Sequence, residues 1–524
     1  MIANESMSAG AGGASEFIEP SSDADPRNAA AGQLTESVDS ILAWTLESDS
    51  GAGPFIGREL SVRDALAMLI GSLKGLTVDQ ASRKLNRLVA AIDAAVNDQL
   101  NEILHHPRFQ ALESAWRGLR FLADRVFYAR RRDVRLRVLQ ITWAEIERDL
   151  ERATEFDQSQ LFNKIYEQEF GTAGGIPYAA IIGNFEIRPK LSASHPHDDV
   201  ATLAKISGVA AAAFCPMVFS ASPAMFGADQ FSDLQYQSRL SARFSERDML
   251  EWNSFRESED ARFIALCLPR ILMRLPYQPL GRDDGFCFRE DVEARDTSKY
   301  LWGNAAFAFG EVLIRAYMQV GWYANIRGFN RDVEGGGLIT GLPVHSFGTD
   351  PAGVTLKSSV NFLIDEQQEA ELSQLGFLAL CNCRDTPYSV FFSCSSVQRP
   401  RTYNDPSVTE NARISAMLHY ILCASRFAHY VKIIGRDTVG GLTDASELQD
   451  QLQRWLREYV TPDEKAKPEI KARRPLRQAD VEIRAEPSKP GTYHCLLKLW
   501  PHYQLDELQA AIHMTASIED PSQP

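Results

Sequence analysis

Pro107, directly after His105 and His106, divides a long run of helix-periodic sequence in two and dictates a corner there. Proline suits a first helical position, where its missing N–H costs nothing, and it pushes the preceding residue out of helical geometry. One helix therefore stops near His106 and another begins. Beyond the corner, Phe109, Leu112, Trp116, Leu119 and Ala123 recur at three- and four-residue steps, while Arg108, Glu113, Arg117 and Arg120 face elsewhere. The stripe predicts a helix with Trp116 in a packed core. The two histidines diverge in direction at a helix end, and no acidic or cysteine cluster lies near them in sequence, which argues against a metal site.

Upstream, Thr77 with Gln80 reads as a capping box for a helix from Val78 to Ile103. Leu85, Val89, Ile92, Val96, Leu100 and Ile103 share one of its faces. A shorter helix, Val62 to Leu73, precedes it, with Gly75 between. This helical region, residues 57–130, suits either coiled association with another chain or a layer within one domain. Residues 1–56 form an acidic extension. Its first 33 residues or so are rich in Ala, Gly, Ser and Asp, too poor in large apolar side chains to offset the entropy of ordering. Leu34, Val38, Ile41, Leu42 and Leu46 then side one short helix, marginal by itself, which is a partner-binding arm or packs on its own domain.

From Val134 the pattern changes to strands alternating with helices, which predicts a mixed α/β body over residues 131–460, an α+β fold overall. Val134–Ile141, Pro177–Phe185, Met217–Ser220, Phe263–Leu268, Trp322–Arg327, Val360–Ile364, Phe377–Cys383 and Tyr388–Cys394 read as strands. Helices are expected from Asp157–Gln160 to Gly171, and at Asp199–Ala213, Gly303–Gly321, Glu366–Gln374, Glu410–Ile434 and Ala445–Tyr459. The glycines from Gly171 to Gly175 follow a helix and open a strand, the reverse of a phosphate-binding loop. Arg270 and Arg274 lie in apolar surroundings and each needs a carboxylate or carbonyl partner, which makes them structural ion pairs first. His345 stands apart from any nucleophile signature, and no G-x-S-x-G elbow occurs. Cys381, Cys383 and Cys394 lack a fourth ligand at metal spacing and read as core-filling thiols.

The formal net charge of −14 disfavours a general nucleic-acid binder, since phosphate binding needs a basic face. Eight scattered cysteines lack the dense spacing of a secreted disulfide scaffold, and Glu5 and Ser6 stand where an export signal needs basic residues. The most apolar Ala-rich stretch, Val209 to Phe219, is short and broken by Pro216, so no membrane insertion is expected. These features place the chain in the cytoplasm. They imply no cofactor and no metal.

The last section, residues 461–524, begins with a basic connector of Lys465, Lys467, Lys471, Arg473, Arg474 and Arg477, either a solvated hinge or a functional patch. Three short strands follow: Ala479–Ala485, Tyr493–Leu499 and Leu508–Met514. Such a meander has edges whose free N–H and C=O groups another chain's strand can complete. The residues expected to carry that contact are Tyr493, Cys495, Leu497, Leu499, Leu508, Ala510, Ile512 and Met514. A proline at Leu497 is the substitution expected to separate pairing from polymerisation.

Several of these runs resemble the large subunit of the type VI secretion contractile sheath (the TssC/VipB family). They are NEILHHPRFQALESAWRGLRFL, with Pro107, Phe109, Leu112, Trp116, Arg117 and Gly118 as its signature, then FGTAGGIPYAAIIGNFEI, SGVAAAAFCPMVFSASPAMFG, SEDARFIALCLPRILMRLPY, YLWGNAAFAFGEVL and GWYANIRG. KPEIKARRPLRQADVEI and GTYHCLLKLWPHYQLDELQAAIHM extend the likeness to the C-terminal region. The resemblance implies a structural protein with a contractile tail-sheath-like fold and no catalytic residue. It implies pairing with a small sheath subunit (TssB/VipA type) through residues 57–130 and polymerisation with itself around an inner tube of haemolysin-coregulated protein. A baseplate and a recycling ATPase (ClpV type) are the further partners it implies, with C-terminal strands interlaced between neighbouring subunits. The competing readings are a phage-like contractile tail sheath and an enzyme with a site around His345, Arg270 and the Gly335 loop.

Overall fold

The structure, a computed structural model, describes residues 62–128, 134–172, 174–193, 195–237, 239–278, 286–293, 297–329, 335–345, 358–384, 386–438, 445–463, 465–485, 493–502 and 512–518. The chain is a mixture of helices and several sheets, as predicted, and divides into two units. One comprises residues up to Leu104 with Tyr277–Glu290; the other comprises His105–Pro276 with the chain from Asp291 onward. The predicted helix at Leu34–Leu46 lies outside the described residues.

The first unit carries α1 (Val62–Leu73) and α2 (Val78–His105). Gly75 turns the chain between them at φ +85°. The capping box forms: Thr77 N–H donates to Gln80 Oε1 at 3.1 Å and Gln80 N–H to Thr77 Oγ1 at 3.4 Å. Toward the end of α2, Arg289 N–H donates to Asn97 Oδ1 at 3.0 Å, and Asn101 Nδ2 donates to the Arg289 carbonyl at 3.4 Å. Leu88 is buried, whereas Leu85, Val89 and Ile103 of the predicted apolar face stand exposed.

The second unit begins with α3 (Pro107–Tyr128), α4 (Trp143–Arg152), β1 (Ile181–Ile187), α5 (Asp199–Ala212) and β2 (Met217–Ala221). It continues through α6 (Leu250–Glu257), β3 (Ile264–Leu268), a two-residue pair β4 (Ile271–Leu272) and β5 (Trp302–Gly303), and α7 (Ala306–Val320). Then come β6 (Leu338–Ile339), α8 (Glu366–Gln374), β7 (Phe377–Asn382) and β8 (Ser389–Phe391). The large sheet has the order β1-β2-β3-β7-β8-β6, parallel as far as β7 and antiparallel beyond. Both faces are covered, so its central strands read as unbroken apolar runs. On β3, Ile264, Leu266 and Leu268 enter a core with Ile146 of α4, Leu203 of α5 and Trp252 of α6. Ala265 and Cys267 alternate into a second core with Phe309 and Val312 of α7.

The prediction that Trp116 lies in a core is overturned. α3 begins at Pro107 as expected, but Phe109, Leu112 and Trp116 face outward, Trp116 at 65% exposure. The buried face is Ser114, Gly118 and Leu122. A Cβ at Gly118 would run into the Phe307 ring, so glycine permits a close approach of α3 to α7 that a larger side chain would block. Polar anchors fix the same face. Glu113 accepts from Arg274 Nε at 2.8 Å and from Arg117 Nε at 2.8 Å. Arg125 Nε lies 3.0 Å from Glu311 on α7, a carboxylate with no exposed surface that Arg315 also meets at 3.4 Å. Arg270, the other arginine expected to be paired, takes Glu186 in a fork at 2.5 and 2.6 Å. Burial works to lower its pKa, and the hydrogen bonds and charge of Glu186 outweigh that and hold it above the ordinary value.

Further expectations change. Ser159, not Asp157, caps the short helix Gln160–Phe162, which widens into π turns over Asn163–Gly171. Val360 makes a single bridge to Ile271 rather than a strand. Trp322–Arg327 forms no strand, since Trp322 is drawn into a stack on Phe427 at 4.3 Å. Val134–Ile141 pairs with no strand among the described residues. The single helix expected at Glu410–Ile434 is two, α9 (Pro406–Ser415) and α10 (Leu418–Thr438). Leu418 N–H donates to the Cys394 carbonyl and Ser396 N–H to that of Ala416, and these tertiary bonds break the helical ladder.

Two predictions arise here. Glu311→Ala leaves Arg315 buried without its carboxylate and is expected to cost about 3–5 kcal/mol, read as a lowered urea midpoint. His429 on α10 is buried, and Nε2–H donates to the Ala213 carbonyl at 3.0 Å. Burial, with Arg426 and Lys432 nearby, pushes its pKa down to about 3. The unfolded chain thus takes up the proton first as pH falls below about 6.5, and stability drops with it. Between pH 7 and pH 5 this histidine is expected to cost roughly 2 kcal/mol, a slope in urea denaturation that His429→Gln should flatten.

Candidate assembly surfaces

The C-terminal strands are β9 (Leu476–Ala485), β10 (Tyr493–Pro501) and β11 (Ile512–Ile518), antiparallel in the order β11-β10-β9. The third is described over Ile512–Ile518, which includes the expected Ile512 and Met514; Leu508 and Ala510 lie outside the described residues. In register, Leu497 stands opposite Val481 and Met514, Leu499 opposite Ala479 and Ile512, and Tyr493 opposite Ala485 and Ile518. Period-two alternation sends Cys495, Leu497 and Leu499 to one face, with Ala479 and Val481. That face is fully buried against Phe427 and Val431 of α10 and against α11 (Ala445–Arg457), whose Leu448, Leu452 and Leu456 form an i, i+4, i+8 stripe. These three residues of β10 therefore fill the chain's own core. A proline at Leu497, which has no exposed surface on a central strand, would damage that core rather than isolate an assembly step.

What the sheet can offer a partner is its edges, and the two differ. At the outer edge of β9, Thr461 N–H donates to the Leu476 carbonyl at 2.8 Å and Leu476 N–H to that of Tyr459 at 3.2 Å. Two side chains of α11 continue the closure. Gln453 Oε1 accepts from Val481 N–H at 3.0 Å while its Nε2 donates to the Ala479 carbonyl at 2.9 Å, as a paired strand would. Gln449 Oε1 accepts from Ile483 N–H at 3.0 Å. On the far side of β11, no further strand pairs among the described residues. One edge is capped from within, and the other carries no further strand among the described residues. The glutamine caps escaped the sequence reading, although ELQDQLQRWL shows them flanking the leucine stripe at a spacing of four.

Other surfaces stand ready as well. The outward face of α3 presents Phe109, Leu112 and Trp116, and α1 and α2 expose Leu66, Met68, Ile70, Leu85 and Val89. In the basic connector, α12 (Pro468–Arg473) forms and Lys465, Lys467, Arg473, Arg474 and Arg477 are exposed. The residues of the enzyme reading have separate partners. His345 Nδ1 meets Tyr300 Oη at 3.0 Å, Arg270 holds Glu186, and no described contact joins them to Gly335. Burial pushes the thiols of Cys381, Cys394, Cys423 and Cys495 up to about 12, where they are neither nucleophilic nor ligating near neutral pH. Among the described residues, no group of three or more His, Cys, Asp or Glu is placed to hold a metal.

Comparison with known proteins bears on these surfaces. Residues 86–398 match the VipB family model, described as EvpB/VC_A0108, tail sheath N-terminal domain. Residues 407–518 match VipB_2, the tail sheath gpW/gp25-like domain, which spans the C-terminal sheet and the helices above it. A relative from Pseudomonas aeruginosa, the type VI secretion system sheath protein TssC1, is 35% identical over 502 residues, covering 94% of this chain and 97% of the relative.

Replacing Gln449 and Gln453 together by leucine removes the cap and leaves three backbone groups of β9 without partners. Each buried group left unpaired costs about 1–3 kcal/mol, and the bared edge invites pairing between copies. The expected result is a lower melting temperature with concentration-dependent self-association, measured by light scattering; an unchanged monomer would contradict the capping role.

Proposed function

The chain belongs to the VipB tail-sheath family and is a sheath subunit of the type VI secretion system, and from that premise we propose how it assembles and works. It pairs with a small companion subunit of TssB/VipA type, in part through the exposed apolar faces of residues 57–130. The pairs polymerise as a helical sheath around an inner tube of haemolysin-coregulated protein, starting from a baseplate. Contraction from an extended to a compact packing drives the tube outward, and the work comes from the difference in interface free energy between two arrangements of the same subunits. A ClpV-type ATPase takes the contracted sheath apart. The subunit works in the bacterial cytoplasm; no helix among the described residues is long and apolar enough to cross a membrane.

The observation that carries this reading is the asymmetric C-terminal sheet, with β9 closed by Gln449, Gln453 and Tyr459–Thr461 and β11 left open. An open edge on a sheet whose other bonds are satisfied supports strand addition by a neighbouring subunit. Ile512 and Met514 take part through the β11 backbone, whereas Cys495, Leu497 and Leu499 act by holding β10 in place.

Co-expression with the companion subunit and negative-stain microscopy test the proposal. Long tubules are expected from the pair and not from this chain alone. A chain ending before Ile512 should still bind the companion while failing to form tubules. Normal tubules from that truncated chain would remove the role given to β11.

A further inference from the structure

The segment from Val134 to Ile141, VRLRVLQI, alternates like a strand and runs straight into the capping box of α4, yet it belongs to no sheet. Among the described residues, no backbone–backbone hydrogen bond engages any of its eight residues. Arg135 through Gln140 are all exposed, Val138 at 68%. Flexible loops are rarely this regular, and this one is held in place. Arg137 bridges to Glu169 and donates to Tyr178 Oη at 3.2 Å, with its guanidinium 5.5 Å from the Tyr178 ring. At the far end, Thr142 caps α4 and Trp143 is buried against Phe185 and Phe219. Beside the segment lies a cavity of about 390 Å³ lined by Leu122, Val134, Leu136, Ile182, Ile314 and Arg426.

A strand-patterned run whose N–H and C=O groups have no backbone partner among the described residues, next to an apolar hollow, is where another chain's strand can pair. The charge around it indicates what neighbour fits. From 130 to 137 the sequence carries Arg130, Arg131, Arg132, Arg135 and Arg137 against Asp133 alone. In the hollow, Arg426 donates to Tyr430 Oη at 3.0 Å and has no carboxylate in contact among the described residues. We propose that Val134–Ile141 is a second strand-addition site, separate from β11, completed by an acidic strand of the companion subunit whose apolar side chains enter the hollow. The inference rests on the pairing proposed above and names the backbone that makes it.

Hydrogen exchange on the full chain, alone and co-purified with the companion, is the test. Amides of residues 134–141 are expected to exchange rapidly in the chain alone and to slow by about a hundredfold or more in the pair. If tubules form and these amides stay fast, this site is lost while the sheath reading stands; if neither pair nor tubule forms, both are lost. Slowing that grows with the concentration of this chain alone would assign the site to a second copy and overturn the proposal. Val138→Pro and Leu139→Pro provide an independent check. Neither N–H has a hydrogen-bond partner among the described residues, so the melting temperature should hold. Alternate N–H groups point to opposite sides of a strand, so one variant should weaken companion binding about tenfold more than the other. Arg135→Glu should weaken it too, with the loss shrinking in high salt.

Discussion

Two glutamine side chains, one helical turn apart on α11, close the β9 edge of the C-terminal sheet. Four residues of helix rise about 6.0 Å and two residues of strand about 6.7 Å, so Gln449 and Gln453 meet alternate residues of β9 with little adjustment. The leucine stripe of α11 is buried in the same core that holds β10, which keeps the glutamines in position at no separate cost. With its inner face packed and one edge capped, the sheet keeps its unused bonding capacity in its own plane at β11.

A similar economy governs α3. Its inward face is made of small residues and ionic anchors, Ser114, Gly118, Glu113 and Arg125, and its outward face of large apolar ones. The pair of partly exposed Arg125 with buried Glu311 adds little net stability, because desolvation offsets attraction, but another orientation of the helix would take from Glu311 one of its two arginines. The pair thus selects one rotation of the helix about its axis. The glycine lets the helix come close enough for the anchors to reach, and Phe109, Leu112 and Trp116 are left facing out. The apolar stripe is released for contact with another chain by the same arrangement that fixes the helix.

This explains what the sequence disclosed and what it withheld. The central strands, α5, α7 and α8 were legible because a buried parallel strand is a continuous apolar run and because Gly321 and Gly376, both at positive φ, stop helices where only glycine is comfortable. The capping box at Thr77 was legible for the same local reason. The orientation of α3 was not, since periodicity reports that a face is apolar and is silent on whether the covering atoms belong to the same chain. Trp116 looked like core for that reason. Val134–Ile141 reads as a strand in sequence but pairs with no strand among the described residues, because alternation reports propensity and not the presence of a neighbour. The α9–α10 break and the stray segment at Trp322 depend on tertiary bonds to residues far away in sequence, which no local window contains.

Several buried polar groups in the body are held by burial or by tertiary ion pairs. His429 is held neutral by burial, the thiols of Cys394 and Cys423 titrate far above neutral pH, and the arginines that flank the main sheet are tied to Glu186, Glu113 and Glu311. Interiors packed this densely deform little, so a load applied at the surface is passed on rather than absorbed. At the periphery, the backbone of residues 134–141 and the outer side of β11 pair with no strand among the described residues, and the helix faces of α1, α2 and α3 expose apolar side chains. Under the contraction proposed above, in which subunits exchange one set of neighbours for another, exposed surfaces of this kind are where the contacts change. On that proposal, free energy released between subunits has to reside in contacts between them, and a body that yielded internally would dissipate it before it reached the proposed inner tube.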